Sequence, residues 1–482
     1  MKKQIIISLL LLLALPALGK SLKRGVSENS FSMGSMLEAL EPGVTWYYNW
    51  GNVPGNGYNG EVAGYEDIEF VPMCWNANYD AEAIRNYCKT HPKTKYLLGF
   101  NEPNFLKQAN MSPQLAAEKW PAVQALAREL GLKLVAPALN YSPNAPYQDP
   151  LKWMDEFVAI VGRDAFDYVA IHNYGGLNVM KRLAGDFHDR YGKDVWVTEF
   201  CYWPNEGDPN STVTPAAQIS AMVETVEWLE STPWIFRYAW FKALGNSNAS
   251  KGPNYGLLVH EGTGLDPWTL SEQGYVYVGM SDFVGETAIG LNETVAASEY
   301  IRRNTAGLGK SNDEQNPGRL DLKEFISGAY VDYCLNVPAE DNYMLRLRIS
   351  GQGEPVRFDP AFNIMEVDAD GNVISTLMST GKFAISGSDD VYENKDFPVR
   401  LGAGKRYIRI QDANPYSPSG VRISAVSLVD SSGVDGVNAD DDSLVNVYSV
   451  QGILLKENVH RSEALSGLDK GLYIVGGRIV TL

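Results

Sequence analysis

Between about residues 22 and 241, short apolar runs alternate with longer stretches of helical periodicity. Eight runs read as strands: KRGVS (23–27), VTWYYNW (44–50), IEFVPMCW (68–75), YLLGFNE (96–102), KLVAPAL (133–139), FDYVAIHNY (166–174), DVWVTEF (194–200) and WIFRYAWF (234–241). Most are continuously apolar, as expected of parallel strands covered on both faces. The clearest helix is PQLAAEKWPAVQALARELG (113–131), with Ser112 as N-cap, Pro113 at its first position and Gly131 as its stop. Thr214-Pro215 opens another in the same way. Eight strands interleaved with helices predict an α/β fold, a (β/α)₈ TIM barrel, ahead of a doubly wound open sheet.

The texture changes after about Tyr277. AYVDYCLNV, YMLRLRIS, FNIMEV, RYIRIQD and VRISAVSLV are short strand-like runs split by Gly, Asp, Asn and Pro. They predict an antiparallel β-sandwich (a jelly roll) over 279–430. SSGVDGVNADDDS (431–443) has no apolar run and reads as a linker, and 444–482 reads as a small C-terminal β unit. All eleven tryptophans lie between Trp46 and Trp268, which marks 20–278 as a separate domain.

The first nineteen residues add a location. Lys2 and Lys3 precede an apolar run from Ile5 to Leu15, and small residues follow at Ala17 and Gly19. That is a signal-peptide pattern, cleaved after Gly19, and it predicts a secreted or cell-surface protein. The run is too short to span a bilayer, which takes about 20 apolar residues. No later run is long enough, so no integral membrane segment is expected. The net charge of −17 would repel phosphate backbones, so nucleic acid is not an expected partner. Four cysteines (Cys74, Cys88, Cys201, Cys334) and five histidines show no disulfide framework or metal-ligand spacing. Cys201, two residues past Glu199, reads as buried filler rather than a reactive thiol. No cofactor and no catalytic metal are expected.

Two triplets carry the candidate chemistry. Asn101-Glu102-Pro103 ends the fourth run, and Thr198-Glu199-Phe200 ends the seventh. A carboxylate at the end of an apolar strand is costly unless partnered or used, and barrel chemistry sits at the C-terminal ends of strands. Two such carboxylates suit glycosidic bond hydrolysis, with Glu102 as acid/base and Glu199 as nucleophile. Asn101 is placed to bind a sugar hydroxyl. Tyr174 is placed to donate to the nucleophile, and His172 to orient substrate. Aromatic residues crowd the same strand ends, among them Trp46, Tyr47 and Trp75. Of these, Tyr48, Trp50, Trp203 and Trp240 are candidate sugar platforms. Trp203 and Trp240 are expected to be exposed, because they follow the ends of runs seven and eight. The glycine-rich stretch 51–67 reads as a substrate lid or subsite wall, or as a plain flexible connection.

The strings RGVS, VTWYYNW, FVPMCW, LLGFNEPN, LVAPA, FDYVAIHNYG, VWVTEF and YAWF together resemble glycoside hydrolase family 128 over about residues 24–268. The resemblance implies a retaining enzyme with Glu102 as acid/base and Glu199 as nucleophile. It also implies β-1,3-glucan polysaccharide or oligosaccharide as substrate, with endo action expected. The alternatives are a non-catalytic glucan-binding surface protein and a hydrolase of another β-linked glycan. SEYI, GAYVDYCLNVPAEDNYMLRLRIS and VRLGAGKRYIRIQ, within 292–430, resemble carbohydrate-binding module family 6. Its acidic pair is incomplete, since Ala297 stands two residues before Glu299, and any sugar platform would rest on Tyr392 or Tyr416. VNVYSVQG and LDKGLYIV in the last 39 residues are similar to type IX secretion signals.

Overall fold

The structure is a computed structural model that describes residues 21–204, 212–245, 252–283, 288–316, 320–351, 359–414, 420–431, 444–450, 453–460, 463–475 and 478–482. The predicted signal peptide, residues 432–443 of the predicted linker and Tyr416 lie outside the described residues. The chain divides into two compact units, one ending at Val284 and the other beginning at Gly285.

The first unit is built on eight parallel strands, one from each predicted run. They are Arg24–Ser27, Trp46–Tyr48, Glu69–Phe70, Tyr96–Leu98, Lys133–Leu139, Tyr168–Asn173, Val195–Phe200 and Ile235–Phe241. Numbered along the chain, their order is 3-2-1-8-7-6-5-4. The two outer strands also meet, because Met73 pairs in parallel with Leu98. The sheet and its helices are consistent with a (β/α)₈ barrel. The third and fourth runs are shorter as regular strands than predicted.

Local sequence sets the helix starts. Pro113–Leu130 opens on Ser112, whose hydroxyl accepts from Leu115 N at 3.1 Å, and it stops at Gly131 with φ of 67°. Asp149 and Thr214 cap Pro150–Val161 and Pro215–Ser231, each with proline next in line. Inside the barrel, Arg237 pairs with Glu69 at 2.7 Å. Its guanidinium lies 4.5 Å from the Tyr96 ring centre and 5.2 Å from that of Trp196. Trp46, Tyr48, Leu98, Ala138, Ala170 and Ala239 complete the packed interior.

Among the described residues, the second unit holds two six-stranded sheets and a four-stranded sheet. The pairing among the described residues is mostly antiparallel; Ala288–Ile289 runs parallel to Tyr330–Val337, and Leu291 bridges in parallel to Leu428. All five predicted sandwich runs are strands, and the last four-stranded sheet comes from 444–481. Tyr392 is half-buried and its hydroxyl donates to Asp321, so it is part of a polar network rather than an open platform. No described helix is long and apolar enough to cross a membrane.

Candidate active site

Strand seven carries an extra residue. Ala170 pairs with Trp196 and Ile171 with Val197, but His172 pairs with Glu199, so Thr198 is skipped. The pairing with strand eight also shows an extra residue on strand seven, with Val197 opposite Tyr238 and Phe200 opposite Trp240. Side chains alternate along a strand. Trp196 points into the barrel core, so regular alternation would put Glu199 outward, under the helices. The bulge shifts the alternation by one residue and turns Glu199 into the barrel mouth beside His172. Phe200 then faces the outer layer, edge-on to Tyr238 and Trp240.

Glu102 arrives by a different route. After strand four, Gly99 passes so close to strand five that a Cβ there would lie 2.7 Å from the Val135 carbonyl oxygen. Asn101 then bridges to Ala138, whose carbonyl accepts from Glu102 N at 2.9 Å. Glu102 has φ of 41°, and Trp50 has φ of 59°. Left-handed backbone at a non-glycine costs about 1–3 kcal/mol and clusters at functional sites. Both of these residues line the cleft.

One carboxylate oxygen from each glutamate and a ring nitrogen of His172 lie within 4.8 Å of one another. His172 Nδ1 is 2.8 Å from Glu102 Oε1 and 3.4 Å from Glu199 Oε2. Trp50 Nε1 donates to Glu199 Oε1 at 2.8 Å, and the Tyr48 hydroxyl lies 3.1 Å from the same oxygen. The Tyr174 hydroxyl donates to Glu199 Oε2. Burial pushes the Glu199 carboxyl above its ordinary value; His172 opposes this, Glu102 adds to it, and the Tyr174 and Trp50 donors pull it back. Burial and then the Glu199 charge hold the Tyr48 and Tyr174 hydroxyls well above their usual range, so both stay protonated donors. Three donors, from Tyr48, Trp50 and Tyr174, face Glu199 and favour its ionised form.

The donors on Glu199 give a pH prediction. A nucleophile must be ionised, so the acid limb of kcat/KM follows Glu199. Trp50→Phe removes a donor that favours the ionised form, and the acid limb should move to higher pH. An unmoved or lowered limb in a pH–rate profile would contradict the assigned contact.

The pair opens into a cleft of about 380 Å³. Trp50, Trp75, Tyr174, Trp203 and Phe241 give it aromatic walls, and Asn29, Asn101, Gln108 and Lys242 add polar groups. Asn101 Nδ2 donates to Gln108 Oε1 at 3.4 Å. Asn101 Oδ1 and Trp203 Nε1 are buried and find no partner among the described residues.

Of the residues singled out by sequence, Glu102, Glu199, Asn101, His172, Tyr174, Trp50 and Trp203 gather at this mouth. Tyr48 does too, but it is fully buried and holds Glu199 from behind, so it is no sugar platform. Trp240 is a clear correction. It is fully buried, donates to the Tyr255 carbonyl and packs near Tyr277. On strand eight, Arg237 and Ala239 face inward, so alternation sends Trp240 outward and brings Phe241 to the mouth. Asn29, Gln108, Phe241 and Lys242 were not anticipated; for Phe241 the alternation was the available signal. The stretch 51–67 is tied back through Tyr58 N to the Ser32 carbonyl and through Glu61 to Gly34 N, and none of its residues lines the cleft. Cys201 is buried, as filler should be.

Paired buried carboxylates in an aromatic cleft at a barrel mouth are the equipment of an enzyme that hydrolyses glycosidic bonds, a glycoside hydrolase. A family profile, the glycosyl hydrolase catalytic core, matches residues 25–275, and the chain belongs to that family. The chain is similar to a GH128 (subgroup II) endo-β-1,3-glucanase from Pseudomonas viridiflava, at 37% identity over 54% of this chain and 98% of that one, with a TM-score of 0.45. It is also similar to a GH128 (subgroup I) endo-β-1,3-glucanase from Amycolatopsis mediterranei in complex with laminaritriose, at 26% identity over 53% and 98%, with a TM-score of 0.42. A GH128 (subgroup III) curdlan-specific exo-β-1,3-glucanase from Blastomyces gilchristii in complex with glucose matches at 32% identity over 46% and 89%, with a TM-score of 0.37. No curated protein matches the chain.

Proposed function

We propose that the protein is a secreted, retaining endo-β-1,3-glucanase. The observation that carries the reading is the approach of a Glu102 and a Glu199 carboxylate oxygen to within 4.8 Å. Retaining pairs stand about 5–5.5 Å apart, whereas inverting pairs leave about 6.5–9.5 Å for a water between them. Glu199, charged and crowded by donors, attacks the anomeric carbon while Glu102 gives its proton to the departing oxygen. The glycosyl–Glu199 ester forms as the glycosidic bond breaks. Glu102, now a base, takes a proton from water, whose oxygen attacks the same carbon and frees Glu199.

The β-1,3 linkage and endo action are supported by 37% identity to an enzyme described as an endo-β-1,3-glucanase. Export is supported by the basic start and short apolar run of residues 1–19. The test is proton NMR of the first product released from β-1,3-gluco-oligosaccharides, set beside mixed-linkage glucan, xylan and mannan. The β-anomer should appear first and only the β-1,3 substrate should be cut quickly. A first α-anomer would overturn retention, and preference for another polysaccharide would overturn the linkage.

A further inference from the structure

Glu28 follows strand one and is only 2% exposed. Its carboxylate accepts from Lys242 Nζ at 3.1 and 3.3 Å and from Leu244 N at 2.7 Å. Lys242 follows strand eight, and strands one and eight are paired up to Ser27 and Phe241. The ion pair therefore bridges the seam between the first and last strands of the barrel. The Lys242 side chain is 19% exposed and lines the cleft beside Asn29 and Phe241. An ammonium has three N–H donors and no acceptor. Glu28 engages at most two of them, so at least one is left for the cleft.

Position around the ring tells which part of a substrate this donor meets. In the order 3-2-1-8-7-6-5-4, joined between strands three and four, strand eight is four steps from strand four in either direction. Lys242 and Glu102 therefore flank Glu199 from opposite sides of the mouth. Glu102 protonates the leaving oxygen, so the departing sugar lies on the strand-four side. The sugar that becomes bonded to Glu199, and those before it, run toward strand eight. Charge narrows the ligand further. Glu28 neutralises Lys242, and the cleft already holds Glu102 and Glu199, so an anionic glycan would be repelled while a neutral hydroxyl is a fitting acceptor.

We infer that Lys242, anchored by Glu28, is a specificity-determining residue that donates to a hydroxyl on the glycone side of an uncharged glucan. This rests on the glucanase reading above. Lys242→Met in the full chain should raise KM for a β-1,3-linked pentasaccharide about ten-fold, the scale of one charge-assisted hydrogen bond. Its kcat should stay within about three-fold, since the contact is made before and during reaction. With the glycone grip weakened, cleavage of a reducing-end-labelled pentasaccharide should move toward the non-reducing end. Lys242→Arg keeps a donor and should fall between wild type and Lys242→Met, and it decides the case if the methionine variant does not fold. Wild-type KM and cleavage position in the folded variants would overturn the inference. If wild type leaves β-1,3-oligosaccharides uncut, the glucanase reading fails instead; the same KM split on whichever neutral β-glycan is cut would still support the role of Lys242.

Discussion

Glu199→Ala should lower hydrolysis of β-1,3-glucan by about 10⁴-fold or more, the scale seen when a covalent nucleophile is lost. Oligosaccharide binding should survive, because the aromatic walls and Asn101 remain in place. Azide separates the two glutamates. With an activated aryl glycoside, azide can enter the space left by Glu199 and attack from the nucleophile's side, giving an α-glycosyl azide. In Glu102→Ala the nucleophile still acts, and azide should open the ester from the other side to give the β-glycosyl azide. Swapped anomers would reverse the assigned roles, and a fully active Glu199→Ala would remove the nucleophile altogether. The two carboxylates have distinct surroundings: Glu199 meets Tyr48, Trp50, Tyr174 and His172, while Glu102 is met by His172.

The largest stability effect is expected away from the mouth, at Arg24. This side chain is 1% exposed. It reaches Glu230 at 3.0 Å, the Tyr238 hydroxyl at 2.9 Å, and the carbonyls of Tyr277, Met280 and Ser281 at 2.8–2.9 Å. One guanidinium thus fastens the helix Glu272–Gly279 and the residues after it to strand one and to the helix Pro215–Ser231. Arg24→Met leaves the buried Glu230 carboxylate with the Tyr238 hydroxyl in place of a charged partner and strands three carbonyls, at a cost of about 3–5 kcal/mol. Tryptophan fluorescence during urea unfolding reads this unit alone, because every tryptophan lies between Trp46 and Trp268. A loss below about 1 kcal/mol would mean that water or neighbouring groups replace the arginine's contacts.

Most of the eight strands were legible because they are buried apolar runs, and that signal survives even where only two or three residues are regular. The glutamates were legible because a carboxylate breaks such a run. What sequence hid was direction. Trp240 looked like a mouth residue because it closes an apolar strand, yet the inward positions are those of Arg237, Ala239 and Phe241. The Glu28–Lys242 pair was hidden for another reason. Its members are 214 residues apart and meet only because strand eight returns beside strand one. Gln108 lies in the connection beyond Glu102, where no periodicity points to a partner.

Thr198 changes what should count as a signature in relatives of this chain. The inward aromatic Trp196 and the inward Glu199 are three residues apart, an odd interval that a regular strand cannot give two side chains on one face. The letters TEF at an even interval from such a core aromatic would face the mouth without a bulge. The same letters at an odd interval without a bulge would bury the carboxylate under a helix. Spacing to the core aromatic, read together with the presence or absence of the bulge, is therefore a sharper discriminator between a hydrolase and a barrel that merely holds sugar than the triplet is.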